Sequence, residues 1–460
     1  MELFNCLEIL NEIDNETLLK SVNLVVNPPT IKEELSTAII HKYEIPQPTA
    51  EYIRVEDLEK LLGRKALDIF VCLDQAISLR PELLKKSAEG EQLPEIFREH
   101  IEEMVKTAKI IEGLKSNDLK SEDEEKKEIM FTIPSEKQMA VVKGDWDKWL
   151  WGKITYDYDE TPNVSALASE LANFALVLRK EGIKVDVIAD SFIYNDIREK
   201  VGSETIELDI PPNLPNVLYV RDPSVVWFKH PVIGSMVLEP RRGEEAVAAL
   251  SFRKLGLTPL LRIQWVHEKR MLFKAYMEGG NFFVIKTDGG VAVFTGIGVR
   301  GSNWATFKAL SSILPEDVRI IGIPLSGYIR DWATGATHLD GRFSYLGETK
   351  GVRVALVDPS KIALYSALEY DRQRGSFKLI EMLKLMKELD ILVDEPPRAP
   401  GGKLNHLNLG KRKIVVDSFN EPTNRYIERV YGFDVIRVNV PHIIAGGGVV
   451  RCVTKEIWRE

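Results

Sequence analysis

Cysteine is scarce in this chain, basic residues do not outnumber acidic ones, and no apolar run is long; each shortage removes a class of protein. The 460 residues include three cysteines, Cys6, Cys72 and Cys452, scattered and odd in number. A disulfide-stapled secreted module needs dense, even-numbered cysteine, so a reducing compartment is expected, with Cys6 and Cys72 as inert packed residues. No stretch approaches the ~20 consecutive apolar residues of a spanning helix, and Met1-Glu2-Leu3-Phe4-Asn5 lacks the basic start and apolar middle of a signal peptide. The sequence therefore reads as cytoplasmic, with no membrane partner. Acidic residues number 69 against 61 basic, a formal net charge of −8, which speaks against a nucleic-acid partner and suits a small cationic ligand. No Walker-type loop is present, and no G-x-G-x-x-G opens a helix after the first strand, so no nucleotide cofactor is expected. What is present, 44% apolar residues over this length, can build a large core in about two or three domains.

The run Lys115 to Glu128 offers almost nothing to bury and reads as a solvated linker. Before it, Ile96, Phe97, His100, Ile101, Met104, Val105, Ala108 and Ile111 recur at three-to-four-residue spacing and stop at Gly113, which predicts an amphipathic helix with His100 as a packed core residue. After it come short β-branched runs, each followed by a turn or a helix: Met139 to Val142, a helix over 164–179, then 185–188, 217–220, 282–285 turning at Thr287-Asp288-Gly289-Gly290 into 291–294, then 320–323, 352–357, 414–416 and 435–438. This is an α/β rhythm of similar strand-rich units, and the hairpin at Asp288-Gly289-Gly290 fits a purely parallel sheet poorly.

Four polar clusters interrupt these strands beside glycine or proline, where functional side chains are commonly presented. Alternation through Asn216 to Asp222 places Asn216, Leu218, Val220 and Asp222 on one face of a strand. Glu278 precedes Gly279-Gly280, which allow a ligand or backbone close to its carboxylate. His338 and Asp340 stand two residues apart, on the same side of an extended segment. Gly446-Gly447-Gly448 leads to Arg451-Cys452, where the adjacent positive charge is expected to lower the thiol pKa below its usual ~8.5. His338, Asp340, Glu278 and Cys452 are permissible metal ligands, but they lack metal-type spacing, and no metal is expected. A covalent thiol site uses them more economically: Cys452 as nucleophile, His338 as acid/base, Glu278 as its partner, and Asp222 and Asp340 to hold a cation.

The ordered set Asn216…Arg221-Asp222-Pro223, Glu278-Gly279-Gly280, Gly296-Ile297-Gly298-Val299-Arg300, His338-Leu339-Asp340 and Gly446-Gly447-Gly448…Arg451-Cys452 resembles arginine deiminase, in the guanidino-group-modifying (amidinotransferase-like) superfamily. The resemblance runs from about Met130 to the C-terminus. It implies a pentein fold, an α/β propeller of five pseudo-repeated units, for residues 129–460. Residues 1–128 lie outside it as a mostly helical extension with its charged linker. It further implies hydrolysis of the guanidino group of L-arginine to citrulline and ammonia through an amidino-thioether on Cys452. Asp222 and Asp340 would clamp the guanidinium, while His338, held by Glu278, would protonate departing ammonia and then deprotonate water. Asn216, Arg300 and, of the pair Arg241-Arg242, Arg242 would hold the amino-acid end, with Asn281 and Arg451 completing the substrate contacts. Position 281 is asparagine where typical arginine deiminases have aspartate. That departure opens an arginine dihydrolase releasing ornithine, carbon dioxide and ammonia, or an amidinotransferase, as alternatives. A non-catalytic arginine sensor is a fourth reading, and oligomeric state stays open.

Overall fold

Hydrophobic periodicity and capping set the local elements of the computed structural model, which describes residues 6, 13–34, 49–80, 93–138, 163–193, 195–202, 205–212, 214–238, 241–298, 300–325, 338–362 and 364–457. The early residues are largely helical: Asn15–Val26, capped by Asp14 accepting from the Thr17 amide at 2.8 Å, then Val55–Leu62, Ala66–Leu79 and Leu93–Glu112. The last ends at Gly113, whose amide returns to the Lys109 carbonyl at 3.3 Å, and His100 is buried within it as the spacing requires. The expected strand at Met139–Val142 lies outside the described residues.

One motif then recurs five times among the described residues: two antiparallel strands, a helix, and a third segment parallel to the second strand. Phe282–Thr287 and Gly290–Ile297 form such a hairpin, Trp304–Ile313 is the helix, and Arg319–Pro324 pairs parallel with the second strand. Phe343–Thr349, Val352–Val357, Met382–Glu388 and Ile391–Asp394 repeat it, as do Leu407–Gly410, Lys413–Asp417, Glu421–Tyr426 and Asp434–Val438. A reduced copy has Ser224–Val225, Val232–Ile233, Glu244–Lys254 and a parallel bridge from Ile233 to Arg262. The remaining copy joins the two ends of this part of the chain. Lys455–Ile457 pairs antiparallel with Glu128–Ile133, followed by helix Val164–Lys180 and the parallel strand Lys184–Ala189. These sheets mix both strand senses, which is why a purely parallel arrangement failed on the sequence. In the unit with helix Val164–Lys180, Leu167, Leu171 and Phe174 cover Ile129, Phe131 and Val187, with the Phe131 and Phe174 rings edge-on at 5.2 Å. Dispersion and area burial of this kind supply most of the favourable term in folding.

Three expectations change. Residues 217–220 form successive turns rather than a strand, with amides of Val217, Tyr219 and Asp222 each returning three residues back; local hydrogen bonds outcompete the β-branched pattern there. Cys6 and Cys72 are paired in a disulfide with Cα atoms 5.6 Å apart, so they are not separate packed residues and the cysteine argument for a reducing compartment falls. The run 115–128 is only partly solvated: Lys115, Asn117, Asp118 and Lys127 are exposed, but Leu119, Ser121, Lys126 and Glu128 are buried, and amides of Lys120, Glu122 and Lys126 donate to carbonyls of Trp227, Val284 and Leu409 in three different units. Its charges are matched by partners inside the fold, which composition alone does not reveal. The early residues also join the body, because Thr49–Arg54 pairs with Met271–Lys274. No helix among the described residues is long and apolar enough to cross a membrane.

Candidate active site

The short segment just before the first strand of each unit carries a polar group, and the five segments meet. They are Arg221-Asp222, Glu278 to Asn281, His338 to Asp340, Asn405, and Arg451-Cys452, all of them buried residues. Hydrogen bonds link each to the next and return to the start. Arg221 N–H donates to the Cys452 carbonyl at 3.1 Å, Gly279 N–H to the Asp222 carbonyl at 2.7 Å and Leu339 N–H to Asn281 Oδ1 at 3.1 Å. Asn405 Nδ2 reaches the Asp340 carbonyl at a long 3.5 Å, and Arg451 N–H donates to Asn405 Oδ1 at 2.8 Å. Backbone amides so directed fix the side chains to within the tolerance that catalysis needs.

On one side of this circuit His338 lies between two carboxylates, Nε2 at 2.6 Å from Glu278 Oε2 and Nδ1 at 3.4 Å from Asp222 Oδ1. Glu278 is held in turn by the Val237 N–H at 2.8 Å and Arg300 Nε at 3.1 Å, and Asp222 by Arg241 Nη1 at 2.7 Å and the Gly280 N–H at 3.2 Å. Burial raises both carboxyl pKa values, but the surrounding cations outweigh it and hold both groups well below the usual carboxylate range: chiefly His338, Arg241 and Arg300 for Asp222, and Arg300 and His338 for Glu278. Glycine is required at 280, where a Cβ would stand 2.8 Å from both Asp222 Oδ1 and His338 Nδ1.

On the other side Cys452 Sγ accepts from Asn405 Nδ2 at 3.2 Å and lies 4.0 Å from Asp340 Oδ2. Asp340 pairs with Arg451 Nη1 at 3.1 Å; Glu122 grips the same guanidinium through Nε at 2.9 Å and Nη2 at 3.2 Å, and it stacks 4.2 Å above the Phe283 ring. The expected effect of Arg451 on the thiol is therefore reversed. Its charge is neutralised by Glu122 and Asp340, while burial, then Asp340 and Asp222, push the Cys452 thiol up to about 12. A cation placed beside these carboxylates would offset the part of that rise due to Asp340 and Asp222.

Asp222, Glu278, His338, Asp340 and Cys452 are thus brought into one cluster, while the expected substrate contacts divide. Arg300 and Arg451 are held by protein carboxylates, Glu278 for the first and Glu122 with Asp340 for the second. Asn281 donates to the Arg300 carbonyl at 2.7 Å and accepts from Leu339, a role aspartate could not fill because it has no N–H. Arg242 faces Glu51 at 2.7 Å, and it is Arg241, bidentate on Glu244, that touches Asp222. Asn216 is fully buried, and neither atom of its side-chain amide has a hydrogen-bond partner among the described residues. Three contributors were missed. Glu122 was hidden in the charged run, Arg241 was passed over for its neighbour, and Asn405 lies in the short segment just before a strand, as the other four groups do. Ligand atoms of Asp222, Glu278 and His338 lie within 4.8 Å of one another, but Arg241 and Arg300 already neutralise these carboxylates, which disfavours a metal cation there.

No family model matches the chain. A curated relative, the uncharacterized protein YkgA of Bacillus subtilis (strain 168), is 24% identical over 257 residues, covering 56% of this chain and 74% of the relative. Among solved structures, DDAH from Pseudomonas aeruginosa in complex with citrulline is 13% identical with a TM-score of 0.45, over 72% of this chain and 100% of that one. SxtG, an amidinotransferase from Microseira wollei in a saxitoxin biosynthetic pathway, is 17% identical with a TM-score of 0.47, over 74% of this chain and 96% of that one. ArgZ, an arginine dihydrolase of the cyanobacterial ornithine–ammonia cycle, is 14% identical with a TM-score of 0.46, over 72% of this chain and 40% of that one.

Proposed function

We propose that the protein is a cofactor-free enzyme that hydrolyses the guanidino group of L-arginine to citrulline and ammonia, with Cys452 as nucleophile in the centre of a five-unit α/β propeller of the pentein type. The observation that carries this reading is the single cluster in which a buried thiol, two aspartates and a carboxylate-held imidazole meet. A guanidinium entering between Asp222 and Asp340 supplies the positive charge that the site lacks around the sulfur, so the thiolate forms when substrate is present, its proton passing to His338. The sulfur then attacks the guanidino carbon, a poor electrophile because its charge is delocalised, and the fixed carboxylates offset this through proximity and electrostatic stabilisation. His338, oriented by Glu278, protonates the departing ammonia and afterwards takes a proton from the water that displaces sulfur. Asn216, whose buried side-chain amide has no hydrogen-bond partner among the described residues, is the candidate among the expected residues for the amino-acid end.

Between the hydrolase outcomes, deimination is favoured. The dihydrolase reading asks Asn281 to orient a ureido product, and both ends of that amide are committed to backbone groups. Incubation with L-arginine, quantifying citrulline, ornithine and ammonia together, tests the choice. Citrulline and ammonia in equal amounts are expected. Ornithine without lasting citrulline would replace deimination by double hydrolysis, and binding of arginine without turnover would leave a sensor.

A further inference from the structure

Four of the five pre-strand positions hold the residues assigned above, and the fifth holds Asn405, buried within the Leu404-Asn405-His406 segment. Its orientation is fixed by chemistry. Oδ1 accepts the Arg451 N–H at 2.8 Å, a group that can only donate, so the amide cannot be turned round and Nδ2 must face Cys452 Sγ, 3.2 Å away. The nearest ionisable group to the sulfur in the hydrogen-bond pattern is a carboxylate, Asp340, and Arg451 is neutralised by Glu122 and Asp340. A neutral donor stabilises a sulfur anion without bringing in a cation that would repel a guanidinium. It also couples the backbone amide before the cysteine to the sulfur itself, so the same side chain sets both the position and the charge of the attacking atom.

We propose that Asn405 is a catalytic residue, an N–H donor that stabilises the Cys452 thiolate while its carbonyl oxygen locks the Arg451 peptide in place. This deepens the reading of Cys452 as nucleophile and rests on it, but its test needs no substrate.

With Cys6 and Cys72 in a disulfide, Cys452 is the free thiol of the chain, so iodoacetamide alkylation against pH reports its ionisation directly. In Asn405→Leu, a neutral replacement of similar volume, the midpoint of that pH dependence should move upward, with the thiolate fraction at neutral pH falling about ten- to a hundredfold, the usual weight of a hydrogen bond to a charged group. Where arginine is turned over, kcat should fall by a similar factor with KM little changed. Asn405→Gln, which keeps a neutral donor, should restore part of the effect, and Asn405→Ala decides the matter if the leucine variant does not fold. A folded Leu or Ala variant whose alkylation midpoint equals that of the wild type would overturn the proposal. A wild type that alkylates as expected but leaves arginine untouched would instead count against the arginine reading alone.

Discussion

Gly280 is the position where one methyl group would be felt most directly, since its Cβ would fall 2.8 Å from both Asp222 Oδ1 and His338 Nδ1. Either side chain must then shift. Gly280→Ala is expected to lower kcat roughly 10²-fold, the common cost of a displacement of about 1 Å in a catalytic group, while circular dichroism shows the fold unchanged. At this scale the sequence was most legible where several chemistry-bearing residues stood together beside glycine: Asp222, Glu278, His338, Asp340 and Cys452 all enter the cluster. It was least legible where a residue's role depends on a partner distant in the chain. Arg451 looked like an activator of Cys452 because they are neighbours, but its guanidinium points to Glu122, Asp340 and the Phe282 carbonyl. Asn405 carried no signal of its own. Only its place in the short segment before a strand, where the other four segments also carry polar groups, marks it.

Among elements, the segment between the last early helix and strand Glu128–Ile133 departs furthest from its composition. Ionic side chains read as a sign of solvent, but Glu122 is largely buried against Arg451, and a buried pair broken on one side leaves an uncompensated charge. Glu122→Gln should therefore destabilise the protein by about 3 kcal/mol, measured by urea denaturation, whereas a solvated linker residue would change little. A second element to test is helix Ala66–Leu79, in which Asp74 is buried. Burial pushes its carboxyl up to about 6, with Arg262 and Lys274 only partly offsetting it. An acid whose folded pKa is raised favours the folded state below its unfolded value near ~4, and that contribution is lost as pH rises through about 6. Asp74→Asn removes the cost of ionisation, so Tm should rise relative to the wild type at pH 8 and differ little at about pH 3, with a ceiling of about 3 kcal/mol from a shift of some two units. Equal shifts at both pH values would show that the carboxyl does not titrate with folding. The helix boundaries themselves were well marked, by the stripe ending at Gly113 and by the 3.6-residue spacing of 164–179, because each is decided locally.

For the whole molecule, the residue pattern alone showed repetition without its number, and the count of five came only from the family resemblance. Strands such as 282–285, 320–323, 352–357, 414–416 and 435–438 stood out as short runs rich in β-branched residues. The fivefold count was hidden because the units share connectivity rather than residues, and because one is reduced to a two-residue hairpin while another is assembled from Lys455–Ile457 and Glu128–Ile133. That last pairing places Cys452 immediately before a strand that holds the ends of the body together, with Glu456 bidentate on Arg221 at 2.8 Å for the longer bond. Glu456→Ala should accordingly lower Tm and also slow Cys452 chemistry, since Arg221 N–H holds the Cys452 carbonyl; differential scanning fluorimetry with activity at a temperature where both forms are folded separates the two effects.

The most direct test of the central claim is a comparison of wild type and Cys452→Ala incubated with L-arginine, with an acid-quenched sample of the wild type digested and analysed by mass spectrometry. The account predicts citrulline and ammonia from the wild type, an arginine-derived adduct mapping to the peptide that contains Cys452, and a folded variant without turnover. Citrulline formed by Cys452→Ala at the wild-type rate would contradict it.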